Sequence, residues 1–102
     1  MNARPPLRLV SAAELRHLFN HGRYWERAKS GELQERALRS GHPSPPRAPE
    51  PLCTRSMIIA YIDTRGVKVA IVHQYLRPDG TIGASGRPDP KRLLMNGILY
   101  GV

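Results

Sequence analysis

Cysteine is almost absent. Cys53 is the only one in 102 residues, which excludes an internal disulfide and a cysteine-built zinc site. Long apolar runs are absent too. The longest, Met57 to Ile62, is far too short to cross a bilayer. The opening residues Met1 to Pro6 have no apolar stretch behind their charge and no cleavage signature, so a secretory signal is not expected. A cytoplasmic protein with no membrane partner is the expectation. Carboxylates are scarce, eight Asp and Glu against sixteen Lys and Arg. Lysine is scarce within the basic set: Lys29, Lys68 and Lys91 stand beside thirteen arginines.

Cofactor motifs are missing. The Gly83-Ala84-Ser85-Gly86 loop lacks the Gly-Lys-Ser/Thr ending of a nucleotide-binding loop. His17 and His21 are four apart and share a helix face, but no third ligand accompanies them and no Glu lies between them in the zincin pattern. Neither a cofactor nor a metal is expected.

What is present is charge. The net +8 favours a polyanionic partner, and arginine is the better fork for phosphate. An Arg, Ala, Gly and Pro bias also arises from GC-rich coding, so composition alone does not settle function. Ten prolines and nine glycines in a chain of this length point to one small α+β domain with little stability to spare.

Residues 1–41 read as a helical segment. Ser11-Ala12-Ala13-Glu14 is a capping box, and Leu15, Leu18 and Phe19 fall on one helical face. Gly22 is the expected left-handed stop. A second helix is expected from Arg23 to Arg39, with Tyr24, Trp25 and Ala28 opening its apolar face. Glu32–Arg36 and Glu35–Arg39 are favourable i,i+4 pairs, and Ser30-Gly31 weakens its middle. Residues 42–55 read as a proline-rich linker, with five prolines in residues 42–51.

Residues 56–102 read as an antiparallel β core with a short helix over 90–96. Two β-rich runs, Met57 to Ile62 and Val67 to Leu76, flank Asp63-Thr64-Arg65-Gly66, a hairpin signal. Pairing Asp63 with Val67 puts Ile59 opposite Ile71 and Met57 opposite His73. One face then carries Met57, Ile59, Tyr61, Val69, Ile71, His73 and Tyr75. Arg77-Pro78-Asp79-Gly80 repeats the turn chemistry, and Thr81-Ile82 can begin a short third strand. Asp89-Pro90 reads as a helix start closed by Asn96-Gly97. Ile98-Leu99-Tyr100 can form a last strand. With so few strands, a homodimer is plausible.

His73 and Tyr75 share a strand face and are the candidate catalytic pair. Arg65, Lys68, Arg77, Arg87, Lys91 and Arg92 are the candidate nucleic-acid contacts, with the Gly83–Gly86 loop offering backbone N–H groups to phosphate. The first expectation is a small basic protein binding nucleic acid, RNA sooner than DNA. A second is a metal-independent, toxin-like ribonuclease with His73 as acid or base. N-terminal helices on a basic antiparallel sheet bearing His, Tyr and Arg form a plan similar to that of some small bacterial ribonuclease toxins, with no residue-by-residue motif in common. A third expectation is an interaction or inhibitor factor of a phage or mobile element, docking a partner through Leu15, Leu18, Phe19, Tyr24 and Trp25 of the helical segment.

Overall fold

The computed structural model describes residues 4–43 and 50–102. Its elements run β1 (Leu7–Leu9), α1 (Ala12–His21), α2 (Tyr24–Lys29), β2 (Gln34–Pro43), β3 (Arg55–Ile62), β4 (Lys68–Leu76), β5 (Asp89–Met95) and β6 (Ile98–Gly101). The class is α+β, but most of it is sheet. Six strands lie in the order β1-β6-β5-β4-β3-β2. Among the described residues the β1–β6 pair is parallel and the other pairs are antiparallel. Among the described residues no helix is long and apolar enough to cross a membrane.

Helix α1 begins where the capping signal places it, with Ser11 Oγ accepting from the Glu14 backbone N–H at 3.1 Å. Its end differs from expectation. Gly22 stays right-handed at φ −78°, and Arg23 takes the left-handed conformation at φ 55°. Gly22 is needed for space: a Cβ there would meet the Tyr24 ring at 2.5 Å.

The helix expected over Arg23 to Arg39 forms only over Tyr24–Lys29. It stops at Ser30-Gly31, where Gly31 has φ 89°. The chain then becomes β2 and pairs along β3. Local i,i+4 charge pairs contribute only tenths of a kcal/mol each. A whole strand edge offering backbone hydrogen bonds outweighs them. In the proline-rich stretch, His42 and Pro43 belong to β2, Arg55 opens β3, and residues 44–49 lie outside the described residues.

The helix expected over 90–96 is also a strand. Asn96 (φ 53°) and Gly97 (φ 76°) form the tight turn of a β5–β6 hairpin. Two successive left-handed residues match the right-handed twist of the flanking strands, which is why Asn-Gly is favoured there. Pro90 fits within β5 because the register shifts at that point, between Ile71↔Arg92 and Val72↔Pro90. The third strand expected at Thr81-Ile82 is reduced to one bridge, Leu76 to Ile82.

The β3–β4 turn forms as read, with Asp63 N–H donating to Val67 O at 2.9 Å. The register beyond it does not. Tyr61 opposes Ala70 while Ile62 opposes Lys68, leaving Val69 as an extra residue. A one-residue bulge moves every later side chain to the other face. Ile59 therefore opposes Val72 instead of Ile71, and Met57 opposes Gln74 instead of His73.

Both helices cover one face of the sheet. Leu15 and Phe19 from α1 and Tyr24 and Ala28 from α2 pack on Ile59, Tyr61, Ala70, Val72 and Leu93. Phe19 is 1% exposed and Tyr61 0%. Their rings meet at 6.2 Å, and Phe19 stacks on Tyr24 at 5.8 Å. Leu15, Phe19 and Tyr24, read above as docking residues, are thus core. Burying this cluster is what fixes α1 and α2 to the sheet.

Candidate nucleic-acid interface

Among the described residues, no helix covers the opposite sheet face. Directly paired residues share a face, so the register builds this surface row by row. One row runs Arg36, Ala60, Ile71, Arg92, Gly101 across β2 to β6. The next runs Arg39, Ile58, His73, Asp89. Ser56 and Tyr75 are paired beyond them.

His73 lies on this face at the end of the β4–β5 ladder, opposite Asp89. Its Nε2 lies 2.7 Å from Ser56 Oγ, and its ring meets Tyr75 edge-on at 4.9 Å. Partial burial lowers the imidazole pKa below its ordinary value. The Lys91 ammonium lowers it further, and the Asp89 carboxylate opposes both. At neutral pH the ring is therefore uncharged, with one nitrogen able to accept a proton. Lys91 Nζ lies 2.9 Å from Asp89 Oδ2, so both charges that act on His73 are also joined to each other.

The six candidate phosphate contacts do not gather on one surface. Four hold carboxylates: Arg65 Asp63 at 3.2 Å, Arg77 Glu50 at 2.9 Å, Arg87 Glu26 at 3.4 Å and Lys91 Asp89 at 2.9 Å. Arg65 is at the β3–β4 turn. Arg87 reaches the helical layer, bonding Asn20 Oδ1 at 3.1 Å and lying over the Trp25 ring at 4.6 Å. Arg92 differs. Its Nη1 donates to Lys91 O at 2.9 Å and to an oxygen of Val102, the last residue of the sequence, at 3.3 Å. Lys68 and Arg92 border the same pocket on the helix-free side.

Two cations of this face were not singled out from sequence. Arg36 and Arg39 were read as helical, and strand β2 brings them opposite Ala60 and Ile58. Gln34–Pro43 carries no β-branched residue, so no local signal marked it as strand. Among the described residues, no salt bridge involves Arg36, Arg39, Lys68 or Arg92.

A second concavity, of about 600 Å³, opens where β5 parts from β4. It is bounded by Phe19 and Asn20 of α1, by His73 and Tyr75, and by Arg87 and Lys91. The loop beside it does not present its N–H groups to solvent as expected. Ala84 N–H donates to Glu50 Oε1 and Arg77 Nε to Glu50 Oε2. The Glu50 side chain is 2% exposed. A Cβ on Gly83 would meet its carboxylate at 2.5 Å. The anion cradle read from sequence is thus filled by a carboxylate of the chain itself.

Among the described residues no cluster of three or more His, Cys, Asp or Glu is placed to hold a metal. The His17 and His21 rings stack at 6.0 Å on α1. No family model, curated protein or solved structure matches the chain.

Proposed function

We propose that the protein binds RNA through the helix-free face of its sheet. The observation that carries this reading is that Arg36, Arg39, Lys68 and Arg92, none in a salt bridge with an Asp or Glu among the described residues, share the sheet face that carries His73 and Tyr75. Phosphate supplies the charge they lack. A broad sheet surface with a half-buried tyrosine suits splayed, single-stranded bases. Reading a DNA major groove usually takes a free helix. Here α1 and α2 are committed to the core.

Anisotropy with a labelled single-stranded RNA over a salt series tests this. Four phosphate contacts give log K a slope of about −3 against log salt. Arg36→Gln and Arg92→Gln each reduce that slope by about 0.7, whereas Arg65→Gln and Arg87→Gln leave it nearly unchanged. A salt-independent response, or equal losses at all four positions, refutes the assignment.

A second reading, RNA cleavage, rests on the Ser56–His73–Tyr75 cluster. Neutral His73 would take the proton of a ribose 2′-OH. The freed oxygen would attack phosphorus and expel the 5′-oxygen, which recovers a proton from the imidazolium or a water. The products are a 2′,3′-cyclic phosphate and a 5′-hydroxyl. Lys91 and Arg92 would neutralise the developing charge, a role that Arg77 and Arg87 cannot fill from where they are tied. Expression should then arrest growth, His73→Ala should relieve it, and cleaved RNA should carry cyclic phosphate ends. Normal growth with abundant folded wild type would exclude cleavage and leave binding intact.

A further inference from the structure

The helix-free face also holds an apolar pocket of about 330 Å³. Ile71, Leu94, Leu99 and Pro5 form its walls, and Lys68 and Arg92 border it. Leu94 and Leu99 are direct cross-strand partners, as are Ile71 and Arg92. Its volume lies at the lower end of the range for small-ligand sites, which runs from about 300 to 1,000 Å³. Apolar walls between two cations that pair with no Asp or Glu among the described residues fit a flat, weakly polar ring joined to a phosphate. The two parts of a nucleotide match the two parts of the site.

We infer that this pocket seats one unpaired base of the bound nucleic acid, with Lys68 and Arg92 on its flanking phosphates. The inference rests on the RNA-binding reading above and narrows it to single strands, because a base inside a duplex cannot enter. Ile71 and His73 are two residues apart on one strand face, about 7 Å by the strand rise. That separation is close to one nucleotide step of an extended strand. A base in the pocket therefore places the neighbouring phosphate near His73 and Tyr75. The walls of Ile71, Leu94, Leu99 and Pro5 make no hydrogen bonds to a base edge, so the site tolerates any of the four bases. Little sequence preference is the consequence.

The test compares three probes at one salt concentration: a single-stranded hexa-adenylate RNA, the same hexamer lacking its bases, and a duplex of equal charge. Wild type should bind the hexamer at least tenfold more tightly than the abasic chain or the duplex. The methyl resonances of Leu94 and Leu99 should shift with the hexamer alone. Leu99→Trp fills the pocket and should erase the tenfold difference while keeping abasic binding. Arg92→Gln, outside the apolar wall, should weaken all three probes, and a wild-type melting temperature for both variants guards against a folding defect. Equal binding of hexamer and abasic chain overturns the pocket and leaves RNA binding standing. Failure of all three probes overturns both. Leu94 and Leu99 shifts that follow protein concentration without RNA would make this face a contact with a second copy and overturn the base site.

Discussion

Ser56 Oγ and His73 Nε2 are joined at 2.7 Å although neither residue is the other's direct strand partner; Ser56 opposes Tyr75 and His73 opposes Ile58. The bond crosses the β3–β4 pair on the diagonal, and so depends on the bulge at Val69. His73 should titrate below the ordinary histidine value of about 6.5. Lys91→Gln should raise its pKa and Asp89→Asn should lower it further, following the two charges that act on the ring. A histidine-ring proton titration by NMR reads all three. Opposite movements would show that other charges govern the site.

The same depression sets a sign for stability. Below about pH 6.5 the unfolded chain binds a proton at His73 that the folded protein resists. Stability from this group is complete above that pH and declines as pH falls toward the folded value. His73→Asn should flatten the melting temperature between pH 7.5 and 5.5. The depressed carboxyls of Glu50, Asp63 and Asp79 act in a separate, lower window, losing their contribution as pH falls through their folded values.

Phe19 ties the helical layer to the sheet through its contacts with Tyr24 and Tyr61. Phe19→Ala should cost about 3–5 kcal/mol in urea unfolding, the range for deleting a buried aromatic. A loss below about 1 kcal/mol would mean that α1 is dispensable to the core.

The legible parts of the sequence were those with local signals. The Ser11 cap, the Asp63–Gly66 turn and the paired apolar runs of β3 and β4 each arise from a few neighbouring residues. Arg36 and Arg39 were illegible because β2 is a strand only by virtue of β3 beside it. The His73 face was misassigned for a different reason: one extra residue at Val69 inverts the alternation, and no residue type announces a bulge. The β5–β6 hairpin was legible and missed, since Asn96-Gly97 between apolar runs marks a two-residue turn. Asp89-Pro90 competes with it as a helix start, and pairing with β4 and β6 makes the segment a strand instead.

Gly97 has φ 76° and nothing within 4 Å of where a Cβ would lie. Gly97→Ala should therefore cost about 1 kcal/mol from backbone conformation alone. Chemical denaturation reads it. A neutral result would show that the turn relaxes to another type.

Glu50 joins Arg77 and the Ala84 N–H in one contact. Glu50→Gln keeps the shape and removes the charge, and should lower the melting temperature more at pH 7 than at pH 3, where the wild-type carboxyl is increasingly protonated. An equal decrease at both pH values would assign the contact to packing.

Strand β1 lies against β6, with Leu7 opposite Leu99 and Val10 N–H donating to Gly101 O at 2.8 Å. During synthesis β1 must therefore wait for β6. Until the ribosome has released residues near Gly101, Leu7–Leu9 has no neighbour to pair with. The Lys68–Arg92 pocket, with Pro5 and Leu99 in its wall, has no complete rim before then either. Whatever this face binds, a nascent chain cannot bind it in the finished form.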